Sequence, residues 1–286
     1  MSTHENCYAL VASVRQGIGE FSDAKVRGED TLGGYHNDYI VTKINATIRG
    51  LYALIARRVP DLFIEETTLV GVNSVFTLPW DFSQLIYFKN AAGRKIGEVT
   101  QDGRRLTDSD GSKRLYHRVG NTLVLDQAGV TETYTLIYKR KPRDIHHGLV
   151  VAGSALSMTF GKAGKKVADY YNDMIVEDET DDWVDTISDY TAARVATIAT
   201  ATPVKNNAYG LVPEIPDWSH HLIAPRATLM VRQEHPLSKR KPSTLDYNEY
   251  RDMLRIAFVE HTAPNQDVDY ESMFTSYEPH AGGIAL

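Results

Sequence analysis

Apolar residues near the start of the chain repeat at the spacing of an α-helix. A stronger repeat begins at Ile40 and ends at Val59, with Asn37 or Asp38 available as its N-cap and Pro60 as its stop. The Gly- and Asp-rich residues that separate the two repeats predict a connecting loop. We therefore expect a long helix, preceded within residues 5–21 by a short one whose apolar face contains Tyr8, Val11, Val14, Ile18 and Phe21.

Beyond residue 65 the hydrophobic period shortens to two, which indicates strands. SVFTLP and QLIYFK are joined by a Pro-Trp-Asp corner, and residues 90–93 read as a turn. Gly120 and Asn121 separate RLYHRV from TLVL, as in a β-hairpin. The next run, TETYTLIYKRKP, alternates two faces. Residues 66–147 are thus a predicted antiparallel β-unit, with an exposed loop at 100–113.

A second β-rich module is predicted over residues 148–212, where LSMTF, DMIVE, WVDTISDY and RVATIAT are separated by polar turns. Helical spacing returns over 213–261, in one helix that Pro225 must kink or restart and in a second over TLDYNEYRDMLRIAFVEH. We expect these helices to pack with the N-terminal segment, residues 1–65.

The predicted fold class is therefore α+β. Terminal helices form a small helical base, two antiparallel β-rich units lie between them, and residues 262–286 form an extended C-terminal arm. The arm contains aromatic residues but no sustained period, so it cannot bury a core alone. We expect it to become ordered on a partner.

Composition narrows the function classes. The chain has 286 residues, 42% of them hydrophobic, and 31 Lys and Arg against 37 Asp and Glu give a net charge of -6. The absence of a basic excess disfavours a DNA-reading protein. Cys7 is the single cysteine and cannot form an internal disulfide. The sequence shows neither a signal peptide nor a membrane-spanning run, so we expect a soluble, cytoplasm-made protein.

The most conspicuous candidate for chemistry is a run of six carboxylates: Glu177, Asp178, Glu179, Asp181, Asp182 and Asp185. A calcium loop needs a glycine at its sharp turn and a distal Glu, and EDETDDWVD has neither. The run lies between two β-prone segments, which predicts a hydrated hairpin tip. A glycan hydrolase that uses two of these carboxylates is disfavoured, because a solvent-rich turn cannot separate their pKa values.

Other catalytic signals are weak. His146–His147 and His220–His221 are adjacent pairs, whereas metal ligands on a helix are three or four residues apart, so we expect surface or helix-terminal histidines. The sequence contains no G-x-S-x-G turn, P-loop or dinucleotide fingerprint. We therefore predict no catalytic residue, no metal site and no cofactor, and hence no enzyme.

Two basic clusters, YKRKPR at 138–143 and SKRKP at 238–242, could contact phosphate. Each lies beside a proline at the end of a predicted element, where charges usually face water. We favour contacts with an acidic neighbouring subunit over nucleic acid. The predicted inter-subunit residues are Lys139, Arg140, Lys141, Arg143, Lys239, Arg240 and Lys241.

Three segments carry a resemblance to a known family: VTKINATIRGLYALIARRVPDLF, FTLPWDFSQLIYFKNAAGRKI and YHRVGNTLVLDQAGVTETYTLIYKRKP. In order and pattern they resemble the head-to-tail adaptor (neck, or head-completion) proteins of tailed bacteriophages. Residues 170–223 are similar to a β-module of phage neck and tail proteins, with a tyrosine-led strand, a hairpin, a RVATI strand and a Y-x-L-x-P exit. The acidic hairpin tip departs from the Gly-rich tip typical of that module.

The resemblance covers most of residues 38–225 and implies a structural protein of the virion. Such adaptors form homo-oligomeric rings, commonly of twelve subunits, between the portal protein at the capsid vertex and the next tail or nozzle component. The resemblance further implies synthesis in the bacterial cytoplasm, a place in the virion neck, no membrane, and a channel that DNA crosses without sequence-specific binding.

In that family the C-terminal segment commonly extends along the portal. The predicted portal-binding residues of this chain are therefore apolar anchors in the arm, namely Tyr270, Met273, Phe274, Tyr277, Ile284 and Leu286. The alternative function is a tail or baseplate structural protein whose β-units contact other tail subunits or a receptor.

Overall fold

A computed structural model describes residues 5–27, 35–99, 115–126, 132–234 and 241–261. The chain divides into two compact units. The smaller unit is Val59–Lys141, and the larger unit combines Met1–Arg58 with Pro142–Leu286. The sequence had placed these boundaries after residues 65 and 147.

The helices of the larger unit come from both ends of the chain: α1 (Cys7–Ile18), α2 (Asp23–Arg27), α3 (Asn37–Arg58), α4 (Ile223–Glu234) and α5 (Thr244–His261). Asn6 caps α1 by accepting a hydrogen bond from the Ala9 backbone N–H at 3.0 Å. Gly19 ends α1 in the left-handed conformation, with φ of 78°. Pro225 lies in the first turn of α4, where proline is tolerated, and a 3₁₀ helix (Asp217–Leu222) precedes it.

The helical core forms where α1 and α3 pack against α4. Gly17 of α1 approaches Thr228 of α4 so closely that an added Cβ would lie 2.9 Å from the threonine side chain. The predicted packing of N-terminal and C-terminal helices is therefore confirmed. The fully buried residues at its centre are Leu10, Val11, Val14, Ile40, Ile44, Leu51, Ile55, Ala227 and Val231.

The sheet of the larger unit has seven strands, all paired antiparallel, in the order β8-β14-β11-β12-β13-β10-β9. Beside it lies a cluster of stacked and edge-on aromatic rings, Phe160, Tyr171, Tyr190 and Tyr209. The strands are β8 (His147–Leu149), β9 (Ala152–Ser154), β10 (Ser157–Thr159), β11 (Ile175–Asp178), β12 (Trp183–Tyr190), β13 (Val195–Ile198) and β14 (Ala208–Leu211).

The smaller unit holds one three-stranded sheet, β1-β7-β3, and one four-stranded sheet, β2-β6-β5-β4. Every pair is antiparallel except β4 with β5. Its core is aromatic, with the Phe88 and Tyr134 rings stacked 5.0 Å apart. The strands are β1 (Ile64–Val70), β2 (Val75–Thr77), β3 (Phe82–Asn90), β4 (Gly97–Glu98), β5 (Leu115–Val119), β6 (Thr122–Leu125) and β7 (Thr133–Arg140).

The predicted α+β class is confirmed, with helices at both ends and antiparallel sheets between them. The β5–β6 hairpin turns at Gly120 as predicted, with φ of 57°, and Tyr134, Leu136 and Tyr138 form the buried face of β7. The loop expected between α1 and α3 contains the unpredicted helix α2. The predicted C-terminal arm and the exposed loop at 100–113 lie outside the described residues.

Candidate functional surfaces

The six carboxylates lie on the β11–β12 hairpin, but they do not form a uniformly hydrated tip. Glu177, Asp178 and Asp185 are buried, with relative exposures of 4%, 1% and 9%. Only Glu179, Asp181 and Asp182 are exposed. The prediction of a hydrated hairpin tip is therefore wrong for half of the cluster, because residues distant in sequence bury and hydrogen-bond those side chains.

Asp178 organises the turn between the two strands. Its Oδ1 accepts hydrogen bonds from the backbone N–H groups of Thr180 and Asp181, both at 2.8 Å. The Asn207 amide, which precedes β14, donates to Asp178 Oδ2 at 3.1 Å. This is the local side-chain capping that favours Asp in tight turns.

Asp185 on β12 binds the segment that follows β13. Its carboxylate accepts bonds from the backbone N–H groups of Thr186, Thr200 and Ala201 at 2.7, 2.7 and 2.8 Å, and from the Thr200 hydroxyl at 3.0 Å. Burial by itself would raise the pKa of Asp185. The combined effect of the four hydrogen-bond donors is larger than that of burial, so the pKa lies below its ordinary value. The carboxylate is a structural anchor.

Replacing Asp185 by Ala is expected to lower the free energy of unfolding by about 2 kcal/mol, because three backbone donors and one hydroxyl lose their acceptor. Urea denaturation measures this change. Asp189→Ala is the matched control, since Asp189 is exposed on the same strand and should change stability by less than about 0.5 kcal/mol. Equal effects of the two variants would contradict the anchoring role.

Glu177 and Glu179 lie at the N-terminus of α1. The Asn6 side-chain amide donates to both carboxylates, and Gly210 of β14 gives it space, since an added Cβ there would lie 2.6 Å from Asn6 Oδ1. Burial, reinforced by the neighbouring carboxylates, raises the pKa of Glu179, which the Asn6 bond partly opposes. The positive end of the helix dipole favours negative charge at this position. These two residues therefore fasten α1 to the sheet.

The acidic hairpin does not assemble a metal site. Within the described residues, no group of three or more His, Cys, Asp and Glu side chains has the arrangement needed to hold a metal ion.

One of the two histidine pairs is placed differently from the prediction. His146, His147 and His220 are buried, and only His221 of the four is exposed. The His146 ring lies edge-on to Phe160 and Tyr171, at centroid distances of 4.9 and 5.1 Å. The expectation of surface or helix-terminal histidines is thus wrong for His146 and His147, which lie in the interior of the larger unit. His220, although buried, and His221 lie in the last turn of the 3₁₀ helix, as expected.

The predicted basic residues separate into different environments. On β7, Arg140 Nε lies 3.2 Å from a Glu65 carboxylate oxygen, and Lys139 is half-buried. Lys141, just beyond the strand, is exposed. Lys241 donates to the Gln233 carbonyl at 3.1 Å. Lys239 and Arg240 lie outside the described residues.

Arg143 has a role inside its own chain. Its side chain is 10% exposed and forms an ion pair with Glu214, in which Nε and Nη2 both donate to Oε1, with Nε at 2.9 Å. Nη1 also donates to the carbonyls of Tyr170 and Asn172. The structure therefore uses the Arg143 guanidinium internally, whereas the sequence had suggested a contact between subunits.

A groove of about 430 Å³ lies between α1, α4 and α5. Its walls combine the apolar side chains of Leu229 and Met253 with charged ones that include Glu5, Arg232 and Glu249. Burial raises the pKa of Glu5, and His221 partly opposes this shift. The mixture of opposite charges gives the groove no single ligand preference.

The predicted portal-binding residues Tyr270, Met273, Phe274, Tyr277, Ile284 and Leu286 all lie outside the described residues. The described helices include none with the length and apolar character that crossing a bilayer requires. No protein-family model matches the chain, and no curated protein matches it significantly.

Proposed function

We propose that this chain is a structural, non-enzymatic virion protein, a head-to-tail adaptor of a tailed bacteriophage. In this proposal its copies form a ring that joins the portal protein at the capsid vertex to the next tail component and encloses part of the DNA passage. The resemblance of residues 38–225 to adaptor proteins is the starting point, and the two surfaces of α5 support it.

The observation that carries the proposal is that α5 is anchored on one face only. Tyr250, Leu254, Ala257 and Phe258 are buried against the rest of the larger unit. The Phe258 ring lies edge-on to Trp218, 5.2 Å between centroids. The last turn of α5 is thus fixed where residues 262–286 begin, as a partner-binding arm requires.

The opposite face of α5 carries apolar residues that its own unit does not cover. Leu245, Ile256 and Val259 are 66%, 58% and 66% exposed. Leu245 and Ile256 are separated by three helical turns, so they lie on one side of the helix, with Val259 beside them. Exposed apolar residues grouped in this way are typical of protein interaction surfaces. They support a contact that continues from α5 into the arm.

The buried carboxylates also support a structural role. Five of the six acidic side chains in the hairpin accept hydrogen bonds that hold the turn, α1 and the segment after β13. These carboxylates stabilise the fold, and three of the six, Glu179, Asp181 and Asp182, also face solvent.

Deleting residues 262–286 tests the proposal. The truncated chain should stay folded, since the buried faces of α1, α3, α4 and α5 are intact, but it should lose attachment to the portal protein of the same phage. Co-sedimentation with assembled portal measures attachment, and circular dichroism with urea denaturation measures folding.

A matched variant keeps the length of the arm and replaces Tyr270, Phe274 and Tyr277 by Ser. It should lose most of the attachment, because aromatic anchors dominate such contacts. Undiminished attachment of the truncated chain would overturn the proposal. Rings found by electron microscopy on tails but never at the portal would favour the tail or baseplate alternative.

A further inference from the structure

The β3 hairpin of the smaller unit ends in a rigid turn. Asn90 Oδ1 accepts hydrogen bonds from the backbone N–H groups of Ala92 and Arg94 at 3.1 and 2.9 Å. Gly93 has φ of 74°, which its missing side chain permits. Beyond the turn, Lys95 pairs directly with Lys89 across the hairpin. The backbone positions from which the side chains at this end of the hairpin project are therefore fixed.

Tyr87, Lys89, Arg94 and Lys95 form what we call the basic tip. Tyr87 and Lys89 are two residues apart on one strand and so point to the same face, which Lys95 shares as the partner of Lys89. The Lys95 ammonium lies 3.5 Å from the centre of the Tyr87 ring, and the Lys89 ammonium lies 5.9 Å from it. Tyr87 is 41% exposed.

The positive charge of the basic tip is uncompensated. Within the part of the chain that the structure describes, no carboxylate forms an ion pair with Lys89, Arg94 or Lys95. Like charges directly opposite each other in a hairpin destabilise it. An anionic partner would relieve this repulsion, so the basic tip has the composition of a docking site for an anion.

The larger unit presents a matching surface, the acidic tip, formed by Glu179, Asp181 and Asp182. These residues are exposed, and none of them is ion-paired with a described cationic side chain. The Asp178 cap fixes the turn, and the Asn207 amide donates to Asp181 at 2.6 Å. The backbone of each turn is therefore held by hydrogen bonds before any contact, which lowers the entropic cost of association.

We propose that the basic tip of one copy of this chain docks on the acidic tip of a second copy. Each copy then carries one surface of each sign, so the contact is head-to-tail and closes into a ring when its rotation permits. This inference rests on the ring assembly proposed above. A second copy fits better than DNA, because the chain itself supplies a cluster of exposed carboxylates that complements the basic tip, whereas the net charge of -6 opposes binding of a long polyanion.

Paired charge reversal tests the contact. We expect the wild-type chain to self-associate in sedimentation equilibrium at concentrations up to about 1 mM. The double variant Lys89→Glu with Lys95→Glu should weaken the self-association constant at least about tenfold. Asp181→Lys with Asp182→Lys should weaken it similarly. Lys162→Glu with Lys166→Glu is the control, with the same charge change at exposed lysines of the larger unit and no expected loss.

Mixing supplies the decisive measurement. An equimolar mixture of the two reversed variants should regain association. The new glutamates at positions 89 and 95 of one variant can pair with the new lysines at positions 181 and 182 of the other. The unchanged acidic tip of the first variant can likewise pair with the unchanged basic tip of the second. Misfolding of either variant would not be rescued in this way.

A wild-type chain that remains monomeric at about 1 mM, or a mixture that fails to associate, overturns the proposal. The proposal is also overturned if the variant with Lys89→Glu and Lys95→Glu loses affinity for duplex DNA while its self-association is unchanged. These measurements contain no portal protein, so their failure is distinct from the failure of portal attachment.

Discussion

Two buried histidines are expected to contribute a loss of about 4 kcal/mol to the stability of the larger unit when the pH is lowered from 7 to 5. Burial lowers the pKa of His146 to about 3, helped by the neighbouring His147, with which a second positive charge would be unfavourable, and by the charge of Lys165. Burial likewise lowers the pKa of His147 to about 4, with a contribution from Arg15. Both rings are therefore neutral in the folded chain.

The sign follows from proton binding. In the unfolded chain each histidine binds a proton below its ordinary pKa of 6.5, while the folded chain does not until about pH 4 for His147 and about pH 3 for His146. The unfolded state therefore gains stability as the pH falls from 6.5, by about 1.4 kcal/mol per pH unit for each ring. The stabilisation is present above pH 6.5 and is lost as the pH falls toward 4 for His147 and toward 3 for His146.

The groups around the two rings are consistent with neutral imidazoles. The Tyr209 hydroxyl lies 3.3 Å from His146 Nδ1, and the Tyr8 ring packs edge-on against His147. Glu5 and Glu179 oppose the trend, because their raised pKa values make the folded chain bind protons more readily as the pH falls. The net loss should accordingly be smaller than that of the histidines alone.

Urea denaturation at several pH values measures the effect, and His146→Phe isolates it. This variant keeps an aromatic ring beside Phe160 and Tyr171 and should reduce the pH slope by about half, since one of the two protons disappears. The control is Met158→Leu, a buried residue of the same unit without a titratable group, which should leave the slope unchanged. A slope that survives His146→Phe in full would contradict the assignment.

The sequence predicted the elements whose signal is local. The repeat from Ile40 to Val59 yields α3, and the Gly120–Asn121 dipeptide yields the β5–β6 hairpin. It missed β14, because all four residues of AYGL are buried and show no alternation. It also missed β1, in which adjacent glutamates interrupt the apolar pattern.

The candidate surfaces were harder to predict, because their partners are distant in sequence. Glu177 is buried by Asn6, which is 171 residues away, and Asp178 by Asn207. No periodicity in EDETDD separates its buried carboxylates from its exposed ones. The residues of the basic tip flank a turn that the sequence did predict. Which of them face each other across the hairpin, as Lys89 and Lys95 do, depends on the strand register.

The ion pair of Arg143 with Glu214 should produce the second large effect. Replacing Arg143 by Met is expected to cost about 3–5 kcal/mol, because a carboxylate that is 11% exposed and two backbone carbonyls lose their donor. Arg143→Lys should recover only part of this, since a single ammonium nitrogen cannot replace the three guanidinium nitrogens that contact Glu214 and the two carbonyls. Both changes are measured as free energies of unfolding in urea.

The double variant Arg143→Met with Glu214→Leu identifies the cause. If the cost of Arg143→Met comes from an uncompensated buried charge, removing that charge should restore about half or more of the lost stability. If Arg143 instead acts mainly between subunits, Arg143→Met would leave the monomer within about 1 kcal/mol of wild type and weaken self-association. We expect the first result, because Glu214 and the carbonyls of Tyr170 and Asn172 already engage three of the guanidinium's nitrogen atoms.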